Sequence, residues 1–403
     1  FTYKLLTRHR SYFRRLRVPF ERPHFLYGNL DDVLSGKLTT MEKIEQFYRK
    51  FASHGCCAAL IDFIASRAEL ELEVKAIFLK HTLNMFAGIA FGKELNTFQD
   101  DTDRFCAVAS GMAYGTNPVQ VIKTMAFYLA PGLMRSIGVQ FTDRQEIDYL
   151  VKQFHSTASD SSTNSMGRFL KQANDKLKTS QQLSDEQLTA QCAIFFTKGF
   201  EPTLNLLSFA AYELAQNLHV QQKLYDELTT NGLTNGSAGL TPYERIRSLP
   251  YLDAIVQETL RKWPPHPLLV RECTKPFIIA ATENGDRASI PLKVGDKLYL
   301  SVWAMHRNGD YFPQPEQFRP ERFEDGQVAK VAHSNTFIPF GIGRGCVGQQ
   351  FVKLVVKLTL VALVQRFKLQ PGERTPEPLK LIESASSLEA RDGFWIRMEP
   401  RVA

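Results

Sequence analysis

The sequence predicts a mainly α fold with a small β portion, and three observations predict it. Apolar residues recur at helical spacing in long runs through the first two thirds of the chain. Residues 268–300 switch to brief apolar segments separated by turn residues. A coil dense in Pro, Phe, Gly and Arg, residues 310–345, then leads into a final helical run.

Residues 18–31 (VPFERPHFLYGNLD) read as a loop. Residues 40–53 place Met41, Ile44, Phe47 and Phe51 on one helix face, and residues 70–91 form a second apolar-periodic helix. Residues 104–150 hold several shorter helices, broken at Asn117-Pro118 and at Pro131-Gly132. Ser184, with Gln187 three residues on, resembles a capping box. The helix it starts runs to about residue 217, broken only by Pro202, and another covers about 250–262. The strands of 268–300 turn at Asn284-Gly285-Asp286 and at Val294-Gly295-Asp296, and residues 347–367 return to helix. With no internal repeat and no linker, residues 21–403 read as a single domain behind a basic segment, residues 1–20.

The chain has 403 residues, 44% of them apolar and 29 of them Phe, enough for a large core and too apolar for disorder. Its formal charge of +7 is not gathered into a nucleic-acid-binding arm. The exception is the start, where Lys4, Arg8, Arg10, Arg14, Arg15 and Arg17 interleave with Phe13, Leu16 and Val18. That segment suits an anionic membrane surface or a solvated tail, and the residues alone leave both readings open. No run of eighteen apolar residues occurs. The six cysteines (Cys56, Cys57, Cys106, Cys192, Cys273 and Cys346) show neither zinc-ligand spacing nor a disulfide pattern.

One of them stands apart. Phe337–Gly348 reads FIPFGIGRGCVG. Gly341, Gly343 and Gly345 let the backbone approach a bound group closely. Cys346 follows just before a helix, whose positive end favours thiolate over thiol. A thiolate is an electron-donating axial ligand for haem iron, and Arg344 is spaced to pair with a propionate. The loop alone also reads as a structural turn with a buried Cys.

Its context separates the two. Glu258 and Arg261, in ETLR, lie three apart on one helix face, usually a surface pair of little energy. Here they precede WPPHPLLVREC, then SVWAMHRNGDYFPQPEQF, then FRPERF (Phe318–Phe323), all ahead of the Cys loop. This ordered set resembles the cytochrome P450 family. The phrases YGNL, FGKEL, LPYLDAIVQETLR and PEQFRPERF resemble its animal microsomal branch, and its insect members in particular. The resemblance covers most of residues 18–400 and implies the P450-like fold, incomplete in its N-terminal part.

It implies haem (iron protoporphyrin) as cofactor, with Cys346 as the iron's ligand and Arg344, Arg271 and Phe340 beside the haem. It implies that Glu258, Arg261 and Arg322 form a buried, fully paired ion network bracing the Cys loop, with His306 contributing. The implied activity is a monooxygenase that inserts one oxygen atom from O2 into a small lipophilic substrate. Its electrons come from NADPH through NADPH-cytochrome P450 reductase, whose acidic flavin domain meets a basic face. The implied location is the cytosolic face of the endoplasmic reticulum membrane, with an anchor ahead of the basic start; no nucleic-acid partner is implied.

Three departures qualify this. Residues 197–203 read TKGFEPT, where the family carries an acid followed by an alcohol that together deliver protons. Glu201 matches the acid, Pro202 stands at the alcohol, and Thr203 lies about 100° further round the helix. Glu201 and Thr203 are therefore the candidate catalytic residues. Either Pro202 only sharpens a bend, or proton delivery is impaired or rerouted. The alternative function is then a catalytically impaired haem-binding relative or a non-enzymatic remnant. In the Cys loop, Phe340 and Gly343 sit one residue closer to Cys346 than the family's spacing, so strain is expected there. Finally, a family block is expected to be missing near 55–65, one that normally carries a Trp-x-x-x-Arg propionate clamp. The three tryptophans (Trp263, Trp303 and Trp395) all lie downstream of it. Phe195, Phe196 and Phe200 suit a greasy pocket or ordinary helix packing alike.

Overall fold

Helices appear in the order α1 (Cys56–Ala65), α2 (Val74–Phe91), α3 (Pro131–Ser136), α4 (Arg144–Ser159), α5 (Met166–Asp175), α6 (Asp185–Gln216), α7 (Leu218–Thr230), α8 (Pro250–Lys262), α9 (Val302–His306) and α10 (Gln349–Arg366) in the computed structural model. It describes residues 56–91, 95–99, 104–105, 108, 126, 131–136, 144–159, 166–175, 182–233, 245–246, 249–280, 289–324, 336–342, 345–346, 348–382 and 388–401. The expectations for residues 1–20, 18–31 and 40–53, Asn117-Pro118, Asn284–Asp286, Cys106, Gly343 and Arg344 lie outside these residues.

α6 is the axis of the fold, packing against α2, α4, α5, α8 and α10. Its start is fixed by the expected capping box: Ser184 Oγ accepts from the Gln187 amide at 3.3 Å, and Gln187 Oε1 accepts from the Ser184 amide at 2.9 Å. Asp185 and Glu186 add negative charge at its positive end. α8 begins on Pro250, and Glu227 of α7 caps it from outside, accepting from the amides of Tyr251 at 2.8 Å and Leu252 at 3.0 Å. Phe78, Phe86, Phe200, Leu207, Leu224, Val256 and Leu360 are fully buried where these helices meet. α10 is rich in β-branched residues that are poor helix formers, so its helicity follows from packing. The lysine that interrupts its apolar run, Lys357, is buried and pairs with Asp253 of α8 at 2.7 Å.

Among the described residues the β portion is three small antiparallel sheets. β1 (Glu71–Glu73), β7 (Trp395–Pro400) and β6 (Phe367–Gln370) form one, in the order β1-β7-β6. β2 (Leu268–Glu272) pairs with β5 (Lys297–Ser301), and β3 (Phe277–Ile279) with β4 (Ile290–Leu292). In the β2–β5 pair Arg271 lies opposite Leu298.

Three expectations need correction. The helix expected over 70–91 begins only at Val74, because Glu71–Glu73 are captured as a strand by Trp395–Arg397. Pro131 starts a helix rather than simply breaking one, since its missing N–H costs nothing in a first turn. Pro202 does not break α6, which runs through it continuously. No helix among the described residues is long and apolar enough to cross a membrane.

Candidate functional site

The site grows from the C-terminal turn of α8. Arg261 Nε donates to Glu258 Oε2 at 2.7 Å and Nη2 to Glu258 Oε1 at 2.8 Å, with both side chains fully buried. The fork-on-fork geometry is the strong form of an ion pair. The backbone amide of Arg319 adds a third donor to Glu258, at 2.9 Å. Arg322, in the 3-10 turn Pro320–Phe323, approaches Glu258 with Nε at 3.4 Å, but too poorly aligned for a hydrogen bond. Its Nη2 instead donates to the Gln314 carbonyl at 2.7 Å. Burial pulls the Arg322 guanidinium below its ordinary range, while Glu258 works the other way. Glu258 and Arg261 thus form the tight centre, and Arg322 holds the coil behind them.

Two arms leave this centre. Arg261 Nη1 donates to the His306 carbonyl at 3.0 Å, and the His306 ring returns a contact, Nδ1 lying 3.1 Å from the Arg261 carbonyl. His306 Nε2 accepts from the amide of Ile338 at 3.0 Å, at the entry of the Cys loop. Burial lowers the His306 pKa from 6.5 to about 4; the Arg261 and Arg307 charges add to this, against the Arg261 and Leu260 carbonyls that hydrogen-bond the ring and raise it.

The Cys loop is closed by two backbone bonds. Gly341 donates to the Ile338 carbonyl at 3.0 Å and Cys346 to the Phe340 carbonyl at 2.8 Å. Gly341 has φ +82°, a left-handed conformation that glycine adopts without strain. Phe340 is half-buried against the core and serves the loop through its carbonyl. Cys346 is exposed, two residues before the Gly348 cap of α10. Atoms crowding the thiol raise its pKa, and a hydrogen bond from the Gly348 amide only partly offsets this. This corrects the expectation that the helix end alone would favour thiolate. The amide does face the sulfur, but desolvation of the charged form outweighs it.

On α6, the Thr203 side chain is fully buried and its hydroxyl donates to the Gly199 carbonyl at 2.5 Å. It is spent on the helix's own backbone, close to the carbonyl of Lys198 that Pro202 leaves without a donor. Glu201 is half-buried one residue before Pro202. Gly199 permits close packing, since a Cβ there would run into the Phe86 ring. Phe200 is fully buried and packs edge-on to Phe86, so it belongs to the helix core. The side chains of Phe195 and Phe196 lie outside the described residues.

The residues present suit a haem-thiolate group. Cys346 is an exposed residue at a helix start, with an amide donor to steady its sulfur. The exposed Arg271 guanidinium stands over the loop, 3.2 Å from the position a Cβ on Gly341 would take. Its one donation among the described groups is to the neighbouring Val270 carbonyl, at 3.1 Å. That leaves a cation beside Gly341, in the same loop as Cys346. Sequence reasoning missed the Arg319 amide, the Gln314 carbonyl and the bridging geometry of His306. The first two are backbone groups with no residue-type signal, and the third depends on a tertiary contact.

Comparison with known proteins follows the same line. A family model described as Cytochrome P450 matches residues 33–394. Cytochrome P450 9c1 of Drosophila melanogaster is 32% identical over 384 residues, covering 90% of this chain and 72% of the relative. Cytochrome P450 9e2 of Blattella germanica is 30% identical over 351 residues, covering 82% and 64%. Cytochrome P450 6k1 of the same species is 29% identical over 366 residues, covering 84% and 68%. The chain spans about two thirds of the length of these relatives.

Proposed function

The chain belongs to the cytochrome P450 family, and on that premise we propose that it is a haem-thiolate monooxygenase acting on a small lipophilic substrate. Proteins of this family bind haem and draw electrons from NADPH through a reductase. The observation that carries the proposal is the exposed Cys346 at the start of α10, tied through Ile338 and His306 to the buried Glu258–Arg261 pair.

Bound there, haem would supply the iron at which O2 is activated, with the thiolate as its electron-rich ligand. Cys346 would hold the iron, Arg271 and Arg344 would pair with propionates, and Phe340 would close the loop beneath. The Gly348 amide donates to the sulfur and so moderates its basicity. Glu201, half-buried on α6, would by the family resemblance be the acid that delivers protons. The reductase and the cytosolic face of the endoplasmic reticulum membrane complete the reading. The basic segment 1–20 favours that surface, and a family block would be missing near 55–65.

A second reading, a catalytically impaired haem-binding relative, is favoured by one observation. Pro202 offers no hydroxyl, and the Thr203 hydroxyl is committed to the Gly199 carbonyl. The test is reconstitution with haem, reductase, NADPH and labelled O2. Labelled oxygen in a lipophilic product supports the monooxygenase. NADPH consumption without product supports the impaired relative.

A further inference from the structure

We propose that His306 is a positioning residue for the iron-ligating loop: it latches that loop to the Glu258–Arg261 pair by holding the Ile338 amide on the unprotonated Nε2 of a neutral ring. The assignment of Cys346 as ligand rests on the function proposed above; the latch itself rests on hydrogen-bond chemistry.

His306 ends α9 and is fully buried. Its Nε2 lies 3.0 Å from the Ile338 amide, and an amide nitrogen can only donate, so Nε2 accepts. Its Nδ1 lies 3.1 Å from the Arg261 carbonyl, which can only accept, so Nδ1 carries the proton. Two backbone groups therefore fix one tautomer, and a cationic ring would break the Ile338 contact. The surroundings oppose that cation. Burial acts first, and the charged groups facing the ring are the guanidiniums of Arg261 and Arg307. The ring packs against Phe337, tilted with centroids 5.3 Å apart, and edge-on against Phe312 at 6.1 Å.

The link has direction. Glu258 grips Arg261, Arg261 Nη1 holds the His306 carbonyl at 3.0 Å, and the His306 ring holds Ile338. The Ile338 carbonyl then receives Gly341, and the Phe340 carbonyl receives Cys346. What fixes Ile338 therefore fixes the entry of the segment that carries the sulfur. His306 is the side chain that does so by donating to one element and accepting from the other. An ion network alone does not reach Ile338.

The test compares the wild-type chain with His306→Gln, which can present an acceptor near the Nε2 position. It also uses His306→Asn, which keeps only the Nδ1-like donor, and His306→Phe, which keeps only the ring. In the haem-free chain, amide exchange in a peptide spanning 336–340 should be slow in wild type and His306→Gln. It should rise about tenfold in the other two, the loss expected for one hydrogen bond. With haem bound and carbon monoxide on the reduced iron, His306→Gln should keep the thiolate band and the other two should shift part of it to the thiol form. Equal exchange in all four chains, or a His306→Phe chain as protected as wild type, overturns the latch. Should the variants not fold, nitrogen-15 NMR of the histidines in the wild-type chain still decides. A proton on Nδ1 alone at neutral pH supports the latch, and a proton on Nε2 overturns it. Failure of every chain to take up haem sinks Cys346 as ligand, whereas the amide exchange still judges His306.

Discussion

Arg261 holds Glu258 by both carboxylate oxygens, at 2.7 and 2.8 Å, with neither side chain touching solvent. A buried pair of this kind is costly to break from one side. Glu258→Gln leaves the guanidinium buried with a neutral partner, and should destabilise the fold by about 3–5 kcal/mol. Glu258→Met combined with Arg261→Leu should recover part of that, because it removes both charges. Urea denaturation midpoints of the three chains check this.

His306 gives the fold a pH dependence. Its folded pKa is lowered from 6.5 to about 4. Between those values the unfolded chain binds a proton that the folded ring refuses. Stability is therefore complete above about pH 6.5, falls as pH drops toward 4, and levels off below, with about 3 kcal/mol at stake. Acid titration of wild type against His306→Gln isolates this share, since every carboxylate contributes equally to both chains. Wild type should lose about 3 kcal/mol relative to His306→Gln as pH falls through that window.

Gly199 and Phe86 should behave as a coupled pair. Gly199→Ala drives a methyl into the Phe86 ring between α6 and α2, and overpacking of this kind costs about 1–3 kcal/mol. Adding Phe86→Leu makes room, so the double variant should be less destabilised than the sum of the singles. Thermal melts of the four chains in the cycle measure the coupling.

Pro202 should limit turnover. Pro202→Thr restores an alcohol beside Glu201 and a donor for the Lys198 carbonyl. Product formed per NADPH should rise between a few-fold and about a hundredfold, within the reach of a positioned proton donor. The helix should gain about 1–3 kcal/mol. An unchanged yield would show that protons reach the site by another route.

Much of the fold was legible in the sequence because local chemistry decided it. The Ser184–Gln187 capping box, Pro250 at a helix start and the turn at Gly295 are encoded within a few residues, and each lies where the pattern put it. What was not legible was decided at a distance. Glu71–Glu73 form a strand only because Trp395–Arg397 lie beside them. Lys357 looks like an interruption until Asp253 of α8 is seen beside it. In the site, Glu258 and Arg261 were readable as a spacing, whereas the alignment of Arg322 depends on where the coil around Gln314 runs. The Thr203 hydroxyl was equally hidden, since its choice of the Gly199 carbonyl is a rotamer and not a residue type.

The central claim is that the sulfur of Cys346 ligates haem iron, and the most direct measurement is the Soret spectrum of the reduced, carbon monoxide-bound chain after haem reconstitution. The account predicts the red-shifted thiolate band in wild type and its loss in Cys346→Ala. A folded chain that takes up no haem, or a Cys346→Ala chain that keeps the thiolate band, would contradict it.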